Sequence, residues 1–122
     1  MTEKPILLVS LESPLSAETR EEVLENIKYA KACMKDSLKR GEYPYASHLL
    51  YAQEGILDDD IPEERALGME AGKAWEIHAQ KTVVYLDRGV SLGMSWGIAK
   101  AREANRSVEY RSLKGYHSNN KD

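Results

Sequence analysis

Asp87 directly follows the apolar run Val83-Val84-Tyr85-Leu86. A carboxylate at the end of a buried strand is placed for acid, base or charge-stabilising chemistry. Its other role there is to accept backbone N–H bonds in the loop that runs to Ser91. Glu70 stands among Gly68, Ala71, Gly72 and Ala74. Each glycine costs a helix about 1 kcal/mol relative to alanine, and such small residues let a second helix or a ligand come close. Glu70 is therefore a candidate pocket carboxylate, although most helix glutamates lie on the surface. If the chain is an enzyme, Asp87 and Glu70 are its candidate catalytic groups.

Polar residues collect at two further places. Ser10, Glu12, Ser13 and Ser16 end an apolar run and lead into a helix, whose free N–H groups attract anions. Serines there suit a phosphate or a ribose hydroxyl, and equally suit capping and turn formation. Tyr45, His48, Tyr51 and Gln53 follow in and past a second strand. Rings stack on a base, and His or Gln reads polar edges. A lone histidine is also a common structural residue. With Ser91, Gly93 and Met94 at the start of a later helix, the expected ligand cleft comprises Ser10, Ser13, His48, Asp87, Ser91, Gly93 and Met94.

Other chemistries find less support. His78 and His117 do not fall at metal-ligand spacing with His48, and no metal is expected. Asp58, Asp59, Asp60, Glu63 and Glu64 make an oxygen-rich loop without the glycine and ligand spacing of an EF-hand, so a solvated turn is expected. Arg65 beside it can neutralise a phosphate or pair with these acids. There is neither a GxGxxG fingerprint nor a P-loop, and no cofactor is expected.

The elements that must carry these groups alternate. Ile6 to Leu11 reads as a strand covered on both faces. Ser16 is the expected N-cap of a long helix with Val23, Ile27, Ala30, Met34 and Leu38 on its apolar face, ending near Gly41. The stretch YPYASHLL reads as a short strand and its exit loop, with Pro44 either putting that strand at a sheet edge or sitting at its first residues. Pro62 opens a second helix, TVVYL is a third strand, SLGMSWGIAKAREAN a third helix capped by Ser91, and SVEYRSL a fourth strand. Alternation of this kind implies a parallel sheet with helices on both faces, and ligands at the C-terminal strand ends.

The chain has 122 residues, enough for a single domain over 1–122 with a sizeable core. Its net charge of −3 gives no basic field for nucleic acid. The single Cys33 leaves no internal disulfide, and a buried inert thiol is expected. The apolar run near the N-terminus is too short for a signal peptide or a membrane span, so a cytoplasmic protein is expected. The tail GYHSNNKD is polar and expected to fray. Leu49, Leu50, Tyr51, Trp75 and Trp96 are many large apolar groups for so small a chain, and a homodimer is expected.

The segments ILLVSLESP, YPYASHLLYAQ, LDDDIPEERALGMEAG and VVYLDRGVSLGMSWGIAKAREANRSVEYRSL together resemble the nucleoside 2-deoxyribosyltransferase-like superfamily, in particular its small, mostly phage-encoded members. The resemblance implies a flavodoxin-like, Rossmannoid three-layer α/β fold with a small parallel sheet. It also implies action on N-glycosidic bonds of deoxynucleosides or their monophosphates, usually in dimers or larger assemblies. Asp87 matches an aspartate of that family, Gly93 a glycine, and Trp96 an aromatic residue before the nucleophile. Ser91 stands where a second aspartate is expected. Gly97 occupies the position of the nucleophilic glutamate. Glycine can be neither nucleophile nor acid, so Glu70 or Asp87 would have to reach the anomeric carbon instead. The expectation is a protein that binds, and in a phage setting sequesters, a nucleotide or ribose-containing derivative. An N-glycosidase or deoxyribosyltransferase with a relocated carboxylate is the alternative, and an interaction module with a vestigial pocket is a third reading.

Overall fold

The structure, a computed structural model, describes residues 5–116. His117 and most of the expected tail lie outside the described residues. The sheet is built from β1 (Leu8–Glu12), β2 (Tyr43–Tyr45), β3 (Lys81–Tyr85) and β4 (Ser107–Arg111). All pairings are parallel, in the order β2-β1-β3-β4. The two central strands are those with continuous apolar runs, since both of their faces are covered. Val9, Ser10 and Leu11 of β1 are buried, as are Thr82 to Tyr85 of β3. β2 is an edge strand, where the N–H that Pro44 lacks is not needed by a second neighbour.

The helices are α1 (Arg20–Lys39), α2 (Ser47–Leu50), α3 (Pro62–Glu76) and α4 (Leu92–Glu103). Alternation along the strands sends Val9, Leu11, Val83 and Tyr85 to one face, where Tyr29 and Cys33 of α1 complete the core. Ser10, Glu12, Thr82 and Val84 point to the other face, which α4 covers. The result is the expected three-layer α/β fold.

Three local expectations need correction. The N-cap of α1 is Thr19, whose Oγ1 accepts from Glu22 N at 3.1 Å. Ser16 instead donates to Asp59 Oδ2 at 3.0 Å, so the helix starts later than its serine suggests. The buried stripe of α1 is Asn26, Tyr29, Ala30, Cys33 and Ser37, with Leu38 exposed. This stripe wins because Tyr29 and Asn26 find polar partners just past the strand ends, Asp87 after β3 and the Leu15 carbonyl after β1, while Ala30 and Cys33 allow close approach. Finally, the exit of β2 is not a loop but α2, begun where Leu49 N and Tyr51 N turn back to the Ala46 and Ser47 carbonyls.

The cap expected at Ser91 is present, with Met94 N donating to Ser91 Oγ at 3.2 Å. Pro62 opens α3. Cys33 is buried, and burial pushes its thiol up to about 12. No described helix is long and apolar enough to cross a membrane.

Candidate functional site

A cleft of about 360 Å³ opens past the C-terminal end of β1, between the segments that follow β2 and β3. Its floor is the end of β1, where Glu12 and Ser13 leave the sheet. One wall is α2, with Ser47 and His48. A second is the face of α3 that carries Arg65, Met69 and Glu76. A third is the start of α4, from Ser91 to Met94, with Trp96 beyond. Residues 65, 69, 72 and 76 share one helical face, and Gly72 lets that face approach α2. A Cβ on Gly72 would stand 2.8 Å from Ser47 Oγ.

Ser13 Oγ and His48 Nε2 are hydrogen-bonded at 2.8 Å. Burial pushes the imidazole down to about 4, against the opposing pull of Asp59. His48 is therefore an uncharged ring at neutral pH, a polar contact and a weak base. Arg65 stands at the mouth, its Nη1 3.1 Å from Ser16 Oγ and 3.6 Å from Asp59 Oδ2. Its Nη2 lies 3.8 Å from where a Gly93 Cβ would be, over the N-terminus of α4. The guanidinium and the helix end bring positive charge to this corner, with the Asp59 carboxylate set against the guanidinium.

Glu12 is the least expected group in the cleft. Its carboxylate lies against Gly97 of α4, and a Cβ on Gly97 would fall 2.6 Å from Glu12 Cδ and 3.0 Å from Oε1. The absence of a side chain at 97 is what admits the carboxylate. Its half-buried place pushes the carboxyl up to about 8, first by loss of water and then by the nearby charge of Glu76. Arg106 opposes part of this rise. Glu76 is itself buried and raised by desolvation, with Arg106 and the Ser10 hydroxyl favouring its ionised form.

Of the residues expected at the cleft, Ser13, His48, Ser91, Gly93 and Met94 line it. Ser10 does not, because β1 turns it beneath the floor, where it is buried beside Glu76. Asp87 does not line it either. Its Oδ2 accepts from Tyr29 Oη at 2.6 Å and from Leu113 N at 2.8 Å, which ties α1 and the segment after β4 to the end of β3. Glu70 is exposed, on the opposite side of α3 from the cleft face. Tyr45 and Tyr51 are occupied with Trp75, Tyr45 at 6.0 Å between rings and Tyr51 as acceptor from Trp75 Nε1 at 2.9 Å. Trp96 is the aromatic residue that borders the cleft.

Sequence reasoning passed over Glu12 and Glu76 as site residues. Both carry a signal. Glu12 ends an apolar strand just as Asp87 follows one, and Glu76 lies one helical turn beyond Gly72. Among the described residues, no group of three or more His, Cys, Asp and Glu side chains is arranged to hold a metal ion.

Fold and cleft together define an all-parallel α/β domain with a polar site at its strand ends. The chain belongs to the family described as Domain of unknown function (DUF7768), which matches residues 7–111. No curated protein matches it. Among solved structures it is similar to the 2-deoxyribosyltransferase from the psychrotolerant bacterium Bacillus psychrosaccharolyticus, described as a biocatalyst for the synthesis of nucleosides. That likeness has 18% identity and a TM-score of 0.59, and covers 92% of this chain and 77% of the other. At this identity the likeness establishes the fold.

Proposed function

We propose that the cleft binds a nucleoside or nucleotide and cleaves its N-glycosidic bond, with Glu12 as the carboxylate facing the sugar. The observation that carries this reading is the Glu12 carboxylate in the space that Gly97 leaves open. Where the resemblance expects a helix glutamate, strand β1 delivers a carboxylate to the same place from the other side. The likeness in fold to a 2-deoxyribosyltransferase supports the substrate class. Trp96, Met69 and Met94 offer apolar surface to a base, and Ser13, His48, Ser91 and Arg65 offer polar atoms to a sugar or phosphate.

A carboxyl held near 8 keeps its proton at neutral pH and gives it up readily, which suits a general acid. As the C1′–N bond breaks, the Glu12 proton goes to the departing base nitrogen. The carboxylate left behind faces the cationic sugar. Water adds to C1′, and the proton that water releases returns to Glu12. Sugar and free base leave, and the enzyme is restored.

One observation favours a second reading, retention without turnover. Glu12 keeps its proton and His48 is uncharged at neutral pH, so neither of these two groups is an ionised nucleophile. A protein that sequesters a nucleotide or ribose-containing derivative fits the same cleft.

The test incubates purified protein with nucleosides, deoxynucleoside monophosphates and ADP-ribose-type compounds, and follows free base by chromatography. Base release is expected, reduced at least about a hundredfold by Glu12→Gln and unchanged by Glu70→Gln. No release, together with an intact nucleotide recovered from denatured protein by mass spectrometry, replaces the first reading with the second. Neither release nor binding sinks both.

A further inference from the structure

Where the floor of the cleft meets its α3 wall, the carboxylates of Glu12 and Glu76 lie within the field of one guanidinium, that of Arg106. Glu76 and Arg106 are both buried, with side chains 8% exposed, and Arg106 Nη1 stands 3.9 Å from Glu76 Oε1. That nitrogen has no hydrogen-bond partner among the described residues. Ser10 supports the charge on Glu76 from the strand below. Glu12 shares the enclosure and faces the cleft, and no hydrogen bond to its carboxylate is found among the described residues. Two negative charges and one positive leave the group one charge short of neutral. An uncompensated charge in an enclosed site is costly, and adding one proton removes it.

We propose that Glu12 and Glu76 share a single proton, and that Arg106 and Ser10 hold the charge on Glu76 so that the proton rests on Glu12, at the cleft. Glu76 and Arg106 are then positioning residues, setting the protonation state of a carboxyl they leave free to meet a ligand. The upward displacement of both carboxyls agrees with this arrangement. The other charged groups around the cleft are otherwise engaged. Arg65 of α3 pairs with Asp59 of the preceding loop, and Lys100 of α4 lies 5.6 Å over the Trp96 ring. His48 of α2 is uncharged by burial. None competes with Glu76 for Glu12.

The role of the pair in base release rests on the glycosidic reading above, whereas the shared proton is a property of the unliganded protein. The test is a carbon-detected NMR pH titration of the whole chain labelled at glutamate Cδ, with Glu12→Gln and Glu76→Gln to assign the two signals. The expected result is a carboxyl titrating near 8 that vanishes in Glu12→Gln. In Glu76→Gln it should move to lower pH by about one unit or more, the coupling at which two sites titrate as a pair. A Glu12 midpoint that does not move in Glu76→Gln overturns the proposal, as does an ordinary carboxylate midpoint in the wild type. Should Glu76→Gln fail to fold, Ser10→Ala is expected to move the lower of the two titrations upward, and no movement overturns the pair. Where base is released, the alkaline limb of its pH profile should shift to lower pH in Glu76→Gln. A coupled titration without base release sinks the glycosidic reading alone. Base release without coupling sinks the pair alone.

Discussion

Glycine at 97 and glutamate at 12 are one structural fact seen from two elements. Glycine normally weakens a helix by about 1 kcal/mol relative to alanine, so on propensity alone Gly97→Ala should stabilise. The tertiary contact reverses that sign, because the added Cβ would overlap the Glu12 carboxylate. Gly97→Ala is expected to lower the thermal midpoint, and Glu12→Ala combined with it should recover most of the loss. A double-mutant cycle measured by thermal unfolding reads the coupling, with an interaction energy of about 1 kcal/mol or more expected for groups in contact. Additive effects would show that the carboxylate does not occupy the space beside residue 97. Gly97→Glu should be worse than Gly97→Ala, since it brings a third carboxylate to an enclosure that already holds Glu12 and Glu76.

At the scale of elements, the strand ends divide the labour between two acidic residues. Asp87 and Glu12 both lie at C-terminal ends of central strands, yet only Glu12 reaches the cleft. Asp87 is captured by Tyr29 Oη and Leu113 N–H, and so acts as a joint between α1, β3 and the segment after β4. Asp87→Ala leaves a buried phenol and a backbone N–H without their acceptor, which costs about 1–3 kcal/mol. The expected outcome in denaturant unfolding is a loss of that size. Ligand binding measured by calorimetry on the folded variant should be unchanged. A large loss of binding with normal stability would return Asp87 to the site. The strand assignment itself was legible, because VVYL is too apolar for an exposed strand. Which oxygen acceptors the neighbouring helix would claim was not, because Tyr29 is 58 residues away in sequence.

The molecule as a whole inherits a pH dependence from its cleft. Glu12 has an ordinary carboxyl value of 4.5 when unfolded and about 8 in the folded chain. Between those limits the folded state binds more protons than the unfolded one. Stability from this group is therefore full below about 4.5 and is lost as pH rises through about 8. Glu12→Gln should flatten this alkaline decline, so that its thermal midpoint overtakes that of the wild type on going from pH 5 to pH 9. A midpoint that falls equally in both proteins would place the decline elsewhere. The buried Arg111 network works in the opposite direction. Arg111 pairs with Glu42 and Glu109 and holds both carboxyls down at about 2, so its contribution persists across this whole range.

By itself the sequence determined the four strands and the three longer helices in their order, the parallel sheet and the cap at Ser91, and it offered the edge as one of two places for β2. These follow from short-range rules: continuous apolar runs, the missing N–H of Pro44, and a hydroxyl one turn before a helix's free N–H groups. It also placed Ser13, His48, Ser91, Gly93 and Met94 at the ends of elements that a parallel sheet brings together. Only the tertiary structure decided which carboxylate the cleft receives. Glu12 and Asp87 have the same local pattern, and Glu70 and Glu76 the same helix. What separates them is rotation of a strand or helix by a single residue, and the presence of a distant partner. Such choices depend on contacts between residues far apart in the chain, and glycine at 97 acquires its meaning only when β1 lays Glu12 against it.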